Sequence, residues 1–346
     1  MTFLLLMELT SSKYTTLAGN LALISYTLAE IFITIFAYLA HDWLKLKWFN
    51  NGFYALTLFY LYFVPESPYW LFNRKKFSQL ETCLRNIATT NGRADTEWFP
   101  FFEELIKTLP VTHETAKPVI TKTRFSRHIF LRLGASGCIG FITMLLYIKI
   151  SYGLATMDSA INPYWNIILG AVVEAIGYVS ASILMITRLG RRFSLLSYAL
   201  LTSVCVIVIP FVKETHPLVV VIVSQIGKLT ISGAVSVSWI YVPELFPTSK
   251  RGFGNAVLVF FGRLGAILAP IIDVALGDRY IRITFYVYSV LALVIVGLLF
   301  ILPETRNRSF DSHNEDDAKS VVSNTYTNEI MIEDSIDNRS IHFKAV

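Results

Sequence analysis

The chain has 346 residues, 54% of them apolar, with a mean hydropathy of +0.53 and a formal net charge of +5. That excess of apolar residues excludes an ordinary water-exposed fold, and the basic balance lacks the stripe of cations and aromatics that nucleic-acid binding would need. Three cysteines, Cys83, Cys138 and Cys205, offer neither a disulfide framework nor a metal-ligand spacing, and no metal or other cofactor is expected.

Apolar stretches lie near residues 17-40, 49-64, 129-150, 164-187, 194-212, 217-243, 254-277 and 283-302. A membrane-crossing helix needs roughly 20 such residues, because a rise of about 1.5 Å per residue must cover about 30 Å of hydrocarbon. Open sheet edges cannot face lipid, so the stretches are expected to be helices. The fold class is therefore an all-α membrane protein with about eight transmembrane helices, the second being the shortest. The apolar segment Met1–Met7 is too short to span and has no positive region or small-residue cleavage site, so it reads as the end of a helix.

Residues 65-128 form a polar segment rich in Lys and Arg, including Arg74, Lys75, Lys76, Arg85 and Arg93. Such loops stay in the cytoplasm. This one is expected to hold two or three short amphipathic helices, one near 77-90. Alternation from there puts both termini in the cytoplasm. The stretch 304-346 is rich in Ser, Asp and Asn and is expected to be a disordered tail. Asn307 and Asn338 open glycosylation sequons that this topology leaves on the cytoplasmic side, unused.

Four motifs stand at helix ends on that side. After the second helix comes Pro65-Glu66-Ser67-Pro68-Tyr69-Trp70-Leu71. The fourth helix ends at Arg188-Leu189-Gly190-Arg191-Arg192, the sixth at Pro243-Glu244-Leu245-Phe246-Pro247-Thr248 followed by Arg251, and the last at Leu302-Pro303-Glu304-Thr305-Arg306. Guanidinium groups at such turns bind carboxylates and helix C-termini. Glu244 is an expected partner for an arginine of the Arg188–Arg192 cluster. Singly, each motif reads as topology and solvation.

Charge also appears at mid-membrane depth. Glu30, Glu174, Lys228 and Arg263 fall near the middle of their stretches, where a charge costs roughly 2.5 to 3.5 kcal/mol on insertion scales. They are candidate substrate contacts. The plainer reading is a structural pair of Glu174 with Lys228 or Arg263, with Glu30 at a lipid-facing edge. Tyr147 and Tyr152 could turn aromatic faces to a cation. Packing or an interfacial belt is the plainer reading for both.

Together and in this order the four motifs resemble the major facilitator superfamily, and more narrowly solute carrier family 22, the organic cation, anion and zwitterion transporters. The resemblance covers residues of about 7-310. It includes Ala37-Tyr38 with Asp42-Trp43, Asn91-Gly92, Tyr152-Gly153-Leu154, and Gly262-Arg263-Leu264-Gly265 through Ala269-Pro270. It implies twelve helices in two six-helix halves, with this chain's first complete helix matching the family's fifth and Glu8 with Lys13-Tyr14 matching the turn after the fourth. The expected organisation is then a partial major facilitator fold. Residues 1-64 are a remnant of the N-terminal half, 65-128 the cytoplasmic loop and 129-303 the C-terminal six-helix bundle. The family's Asp before Gly190 is Thr187 here, its Arg after the Pro65-Glu66-Ser67-Pro68 motif is Tyr69, and its Arg after Lys13-Tyr14 is Thr15.

The resemblance implies a transporter of small organic ions in the plasma membrane, working by alternating access, with Gly190, Arg191, Arg192, Glu244, Arg251, Glu66 and Glu304 in the cytoplasmic gating network. Anion and carnitine-type members carry Arg where Arg263 stands, and Glu174 matches the Glu of cation and zwitterion members. That favours an anionic or zwitterionic, carnitine-like substrate over a plain cation. Two readings stay open beside it: a transport-incompetent truncated form or incomplete gene product acting at most as an interaction partner, and a sugar porter. An enzyme is not expected, since no zinc-protease, nucleophile-elbow or P-loop pattern is present. The expected partners are the substrate ion and the lipid bilayer, not nucleic acid; oligomeric state is left open.

Overall fold

A computed structural model describes residues 2–10, 14–108, 127–156, 162–187, 189–212, 217–246, 248–276 and 281–305. Arg188, Arg306, both sequons and the expected tail beyond 305 lie outside the described residues, as does the side chain of Tyr152. The described chain is helical, with no strand among the described residues: α1 (Thr2–Leu9), α2 (Thr15–Ala40), α3 (Trp43–Phe63), α4 (Pro68–Asn73), α5 (Phe77–Thr90), α6 (Asp95–Thr108), α7 (Arg127–Thr156), α8 (Pro163–Ile186), α9 (Gly190–Val212), α10 (Pro217–Glu244), α11 (Thr248–Leu276) and α12 (Ile281–Ile301).

Seven of these helices, α2 and α7 to α12, are long and apolar enough to cross a bilayer. The second apolar stretch is also helical, as the 21-residue α3. Lys45, Lys47, Asn50 and Asn51 dilute its hydropathy, so although it has the length it is not among the seven, against the eight spans expected. The chain is a multi-pass integral membrane protein.

Helix α8 shows how sequence orders the bundle. Leu169, Val172, Ile176, Val179 and Ile183 recur at intervals of three and four and are exposed, forming a stripe suited to lipid. The opposite face carries Asn166, Gly170, Glu174, Gly177, Tyr178 and Ala181, all buried against neighbouring helices. Polar and small residues thus face inward, the reverse of a water-exposed helix. Lipid offers no hydrophobic drive between helices, so close packing and hydrogen bonds hold them. Between helices, Thr202 donates to Thr230 at 3.0 Å, Ser203 and Ser289 share a bond of 2.8 Å, and Ser236 of α10 donates to Asn20 of α2 at 2.5 Å.

The closest helix pair is α7 with α11. A methyl group added at Gly140 would stand 2.3 Å from the carbonyl oxygen of Leu258, and one at Gly265 would stand 2.3 Å from that of Phe141. The two backbones therefore touch directly, as small residues permit in membranes. Helix α10 runs through the middle, packed on α7, α8 and α9, and α2 lies along α8. Between α3 and α7 the three short helices α4, α5 and α6 enclose their own small core of Leu71, Leu80, Cys83 and Phe102. Burial pushes the Cys83 thiol up, away from the reactive thiolate.

Candidate functional site

Two polar centres emerge, one at an end of the bundle and one in its middle. At the end, Gly190 opens α9 with a φ of 75°, a left-handed conformation that suits glycine. Just after α12, Glu304 turns back and its two carboxylate oxygens accept from the backbone N–H groups of Arg191 and Arg192, each at 3.1 Å. A carboxylate at a helix N-terminus satisfies orphan donors and opposes the positive end of the helix dipole. A side chain on Gly190 would come within 3.0 Å of that carboxylate, so glycine is needed twice over.

Arg191 meets Glu244 at the end of α10 in an ion pair of 2.9 Å, the partnership expected from the two motifs. Thr305 donates to the same carboxylate at 3.0 Å, Tyr241 donates to the carbonyl of Pro303 at 2.6 Å, and Arg132 of α7 donates to the carbonyl of Leu245 at 3.0 Å. Arg251 is buried beside them. The guanidinium of Arg192 instead lies over the rings of Phe193 and Phe300, 5.6 and 5.9 Å from their centroids. Glu66 is exposed and forms no ion pair among the described residues. In its motif, Ser67 takes the interaction, donating to Glu8 at 2.5 Å and capping α4 through the backbone N–H of Trp70 at 3.3 Å. Glu304→Ala should lower the thermal midpoint of the detergent-solubilised protein by the equivalent of about 1–2 kcal/mol, a helix-cap loss. Glu66→Ala should leave it within about 0.5 kcal/mol, as for an exposed residue; fluorescence-detected size exclusion after heating reads both.

In the middle, Lys228 of α10 sits between two carboxylates. It pairs with Glu174 of α8 at 3.2 Å and with Glu30 of α2 at 3.7 Å. Glu174 is fully buried, and its oxygens accept from Tyr147 of α7 at 2.9 and 3.1 Å and from Tyr178, one turn along α8, at 2.5 Å. Gly170 makes room for the ammonium: an added methyl would lie 3.1 Å from it. Glu30 differs, because it stays partly exposed and its Oε2 has no hydrogen-bond partner among the described residues.

Arg263 of α11 does not join this cluster. It is exposed, lines a narrow cleft with Gly140, Thr143, Trp239 and Gly262, and forms no ion pair among the described residues. Tyr26 of α2 is hydrogen-bonded to Tyr147 and within electrostatic reach of Glu30, Glu174 and Arg263. Sequence reasoning passed over Tyr26 and Tyr178. Their signal was present, since Tyr26 precedes Glu30 by four residues and Tyr178 follows Glu174 by four, which puts each pair on one helix face.

A helical membrane bundle with paired charges at its centre and a carboxylate–arginine network at one end fits the major facilitator fold. The chain belongs to the sugar (and other) transporter family, whose model matches residues 15–316. It is similar to solute carrier family 22 member 13 of Homo sapiens, with 28% identity over 90% of this chain and 55% of the relative. It is also similar to solute carrier family 22 member 3 of Rattus norvegicus, 25% identical over 91% of this chain and 55% of that one. Organic anion transporter 3 of Mus musculus is 27% identical over 84% of this chain and 54% of its own length. The chain spans about half the length of these curated relatives. In structure it resembles the partially occluded, inward-open xylose transporter XylE of E. coli, with a TM-score of 0.58 and 17% identity over 89% of this chain and 68% of that one, a likeness of fold.

Proposed function

We propose that the chain moves small organic ions across the plasma membrane by alternating access, and that it favours zwitterions or anions of the carnitine type over plain cations. In this reading residues 129-303 form one six-helix half, residues 1-64 belong to the other, and the Arg191–Glu244–Glu304 network, with Gly190, Arg192 and Arg251, is the cytoplasmic gate. Both termini then lie in the cytoplasm.

The observation that carries the reading is the separation of free charge at mid-depth. Glu174 and Lys228 neutralise each other, which leaves Glu30 as surplus negative charge and Arg263 as surplus positive charge, with Tyr26 within electrostatic reach of both. A charge exposed at membrane depth needs a wet cavity or a counter-ion. A zwitterion supplies both counter-ions at once: its ammonium toward the partly exposed Glu30 side chain, and its carboxylate toward Arg263 in the bidentate geometry that guanidinium favours.

The test is uptake of radiolabelled carnitine, tetraethylammonium and p-aminohippurate by cells expressing the chain, with surface expression measured. Saturable carnitine uptake is expected, lost at least tenfold in Arg263→Ala and reduced in Glu30→Gln. Uptake of tetraethylammonium alone, or uptake indifferent to both substitutions, would overturn the charge assignment. No uptake of any of the three at normal surface levels would overturn the transport reading.

A further inference from the structure

A third group of charges lies far from the gate end, on the face of α7 roughly opposite Tyr147 of the central cluster, which is two residues away. Lys149 of α7 pairs with Asp273 of α11. Lys149 is 17 residues beyond Arg132, which bonds to Leu245 at the gate end, so at about 1.5 Å per residue the pair lies about 26 Å away along α7. The Lys149 ammonium sits over the rings of Phe285 and Tyr288 of α12, 5.2 and 5.6 Å from their centroids. Lys149 is 8% exposed and Tyr288 1%. The Tyr288 hydroxyl has no hydrogen-bond partner among the described residues. The Asp273 side chain remains 22% exposed, which leaves the group a way in.

A carboxylate and two aromatic faces around an ammonium are the parts with which proteins recognise organic ammonium ions. Here they hold one that the chain itself supplies. A structural ion pair between α7 and α11 needs none of these additions, because Gly140 and Gly265 already bring those helices into backbone contact. We propose that Asp273, Phe285 and Tyr288 form an organic-cation site whose resident ligand is Lys149, and that a free quaternary ammonium ion enters by displacing that side chain. The site takes a different charge class from the central one and does not depend on transport. A tethered ligand competes at an effective concentration of order millimolar or above, so the intact protein binds such cations weakly.

Equilibrium binding of radiolabelled tetraethylammonium to the purified full chain in nanodiscs tests this. Lys149→Met should bind at least tenfold more tightly than the unmodified chain, and adding Asp273→Asn should remove the gain. Adding Glu30→Gln instead should leave it, which separates this site from the central one. A monodisperse Lys149→Met protein that binds no more tightly than the parent overturns the proposal. A second measurement needs no substitution. Acetylation of Lys149 by a small amine-reactive ester, read by mass spectrometry, should rise several-fold in saturating tetraethylammonium, while exposed Lys45 stays constant. An unchanged Lys149 rate overturns the proposal even where the variants fail to fold.

Discussion

Lys228→Met should leave little folded protein, and Lys228→Met with Glu174→Gln should recover much of it. The ammonium is 3.2 Å from a carboxylate that is fully buried, and a second carboxylate stands 3.7 Å away. Removing one partner of a buried pair strands the other, at about 3–5 kcal/mol, whereas replacing both by neutral groups of similar volume is far milder. Tyr147 and Tyr178 can still donate to the amide oxygen that Glu174→Gln introduces, so the double variant keeps its hydrogen bonds. The measurement is the monodisperse fraction on size exclusion for both singles and the double. A double variant no better than Lys228→Met would show that the cluster is not a coupled unit.

Gly140→Val or Gly265→Val should be as damaging by a different route. Each places carbon atoms where the partner backbone already stands, 2.3 Å from a carbonyl oxygen that no rotamer change can move. Overpacking of this kind costs about 1–3 kcal/mol or more, and here it must prise apart the closest helix pair in the bundle. Gly252→Val is the control, since an added Cβ there meets nothing within 4 Å. Thermal midpoints of the three variants should separate the first two from the third. Equal losses in all three would mean that α7 and α11 are free to move apart.

What was legible in the chain and what was not follows from the physics of each signal. Hydropathy over some 20 residues is a long-range average, so α2 and α7 to α12 could be placed, with the end of α7 and the start of α11 each six residues off. The four end motifs also carried their own pairing logic, and Glu244 with Arg191 is one result. Depth could be counted for Glu30, Glu174, Lys228 and Arg263, but counting along a helix gives no rotation about a neighbour. Which acid met Lys228, and that Arg263 would stand apart, needed three-dimensional packing. Lys149 and Asp273 were missed for a related reason: each falls near the end of its apolar stretch, where a charge reads as interfacial. Glu66 stood in as recognisable a motif as Glu244, yet Ser67 takes the contact with Glu8, because motif membership does not say which residue turns inward.

The cap of α9 also sets an order of assembly. Its carboxylate arrives 113 residues after the backbone group that it receives, beyond the last helix. At about 5–20 residues per second of synthesis, the start of α9 waits roughly 6 to 23 s with its N–H groups unsatisfied by Glu304. The bundle therefore cannot close this end helix by helix as the chain emerges. Insertion of α12 is the event that completes α9, and a chain stopped short of Glu304 would carry all the preceding helices and still present an unfinished end to the machinery that surveys new membrane proteins.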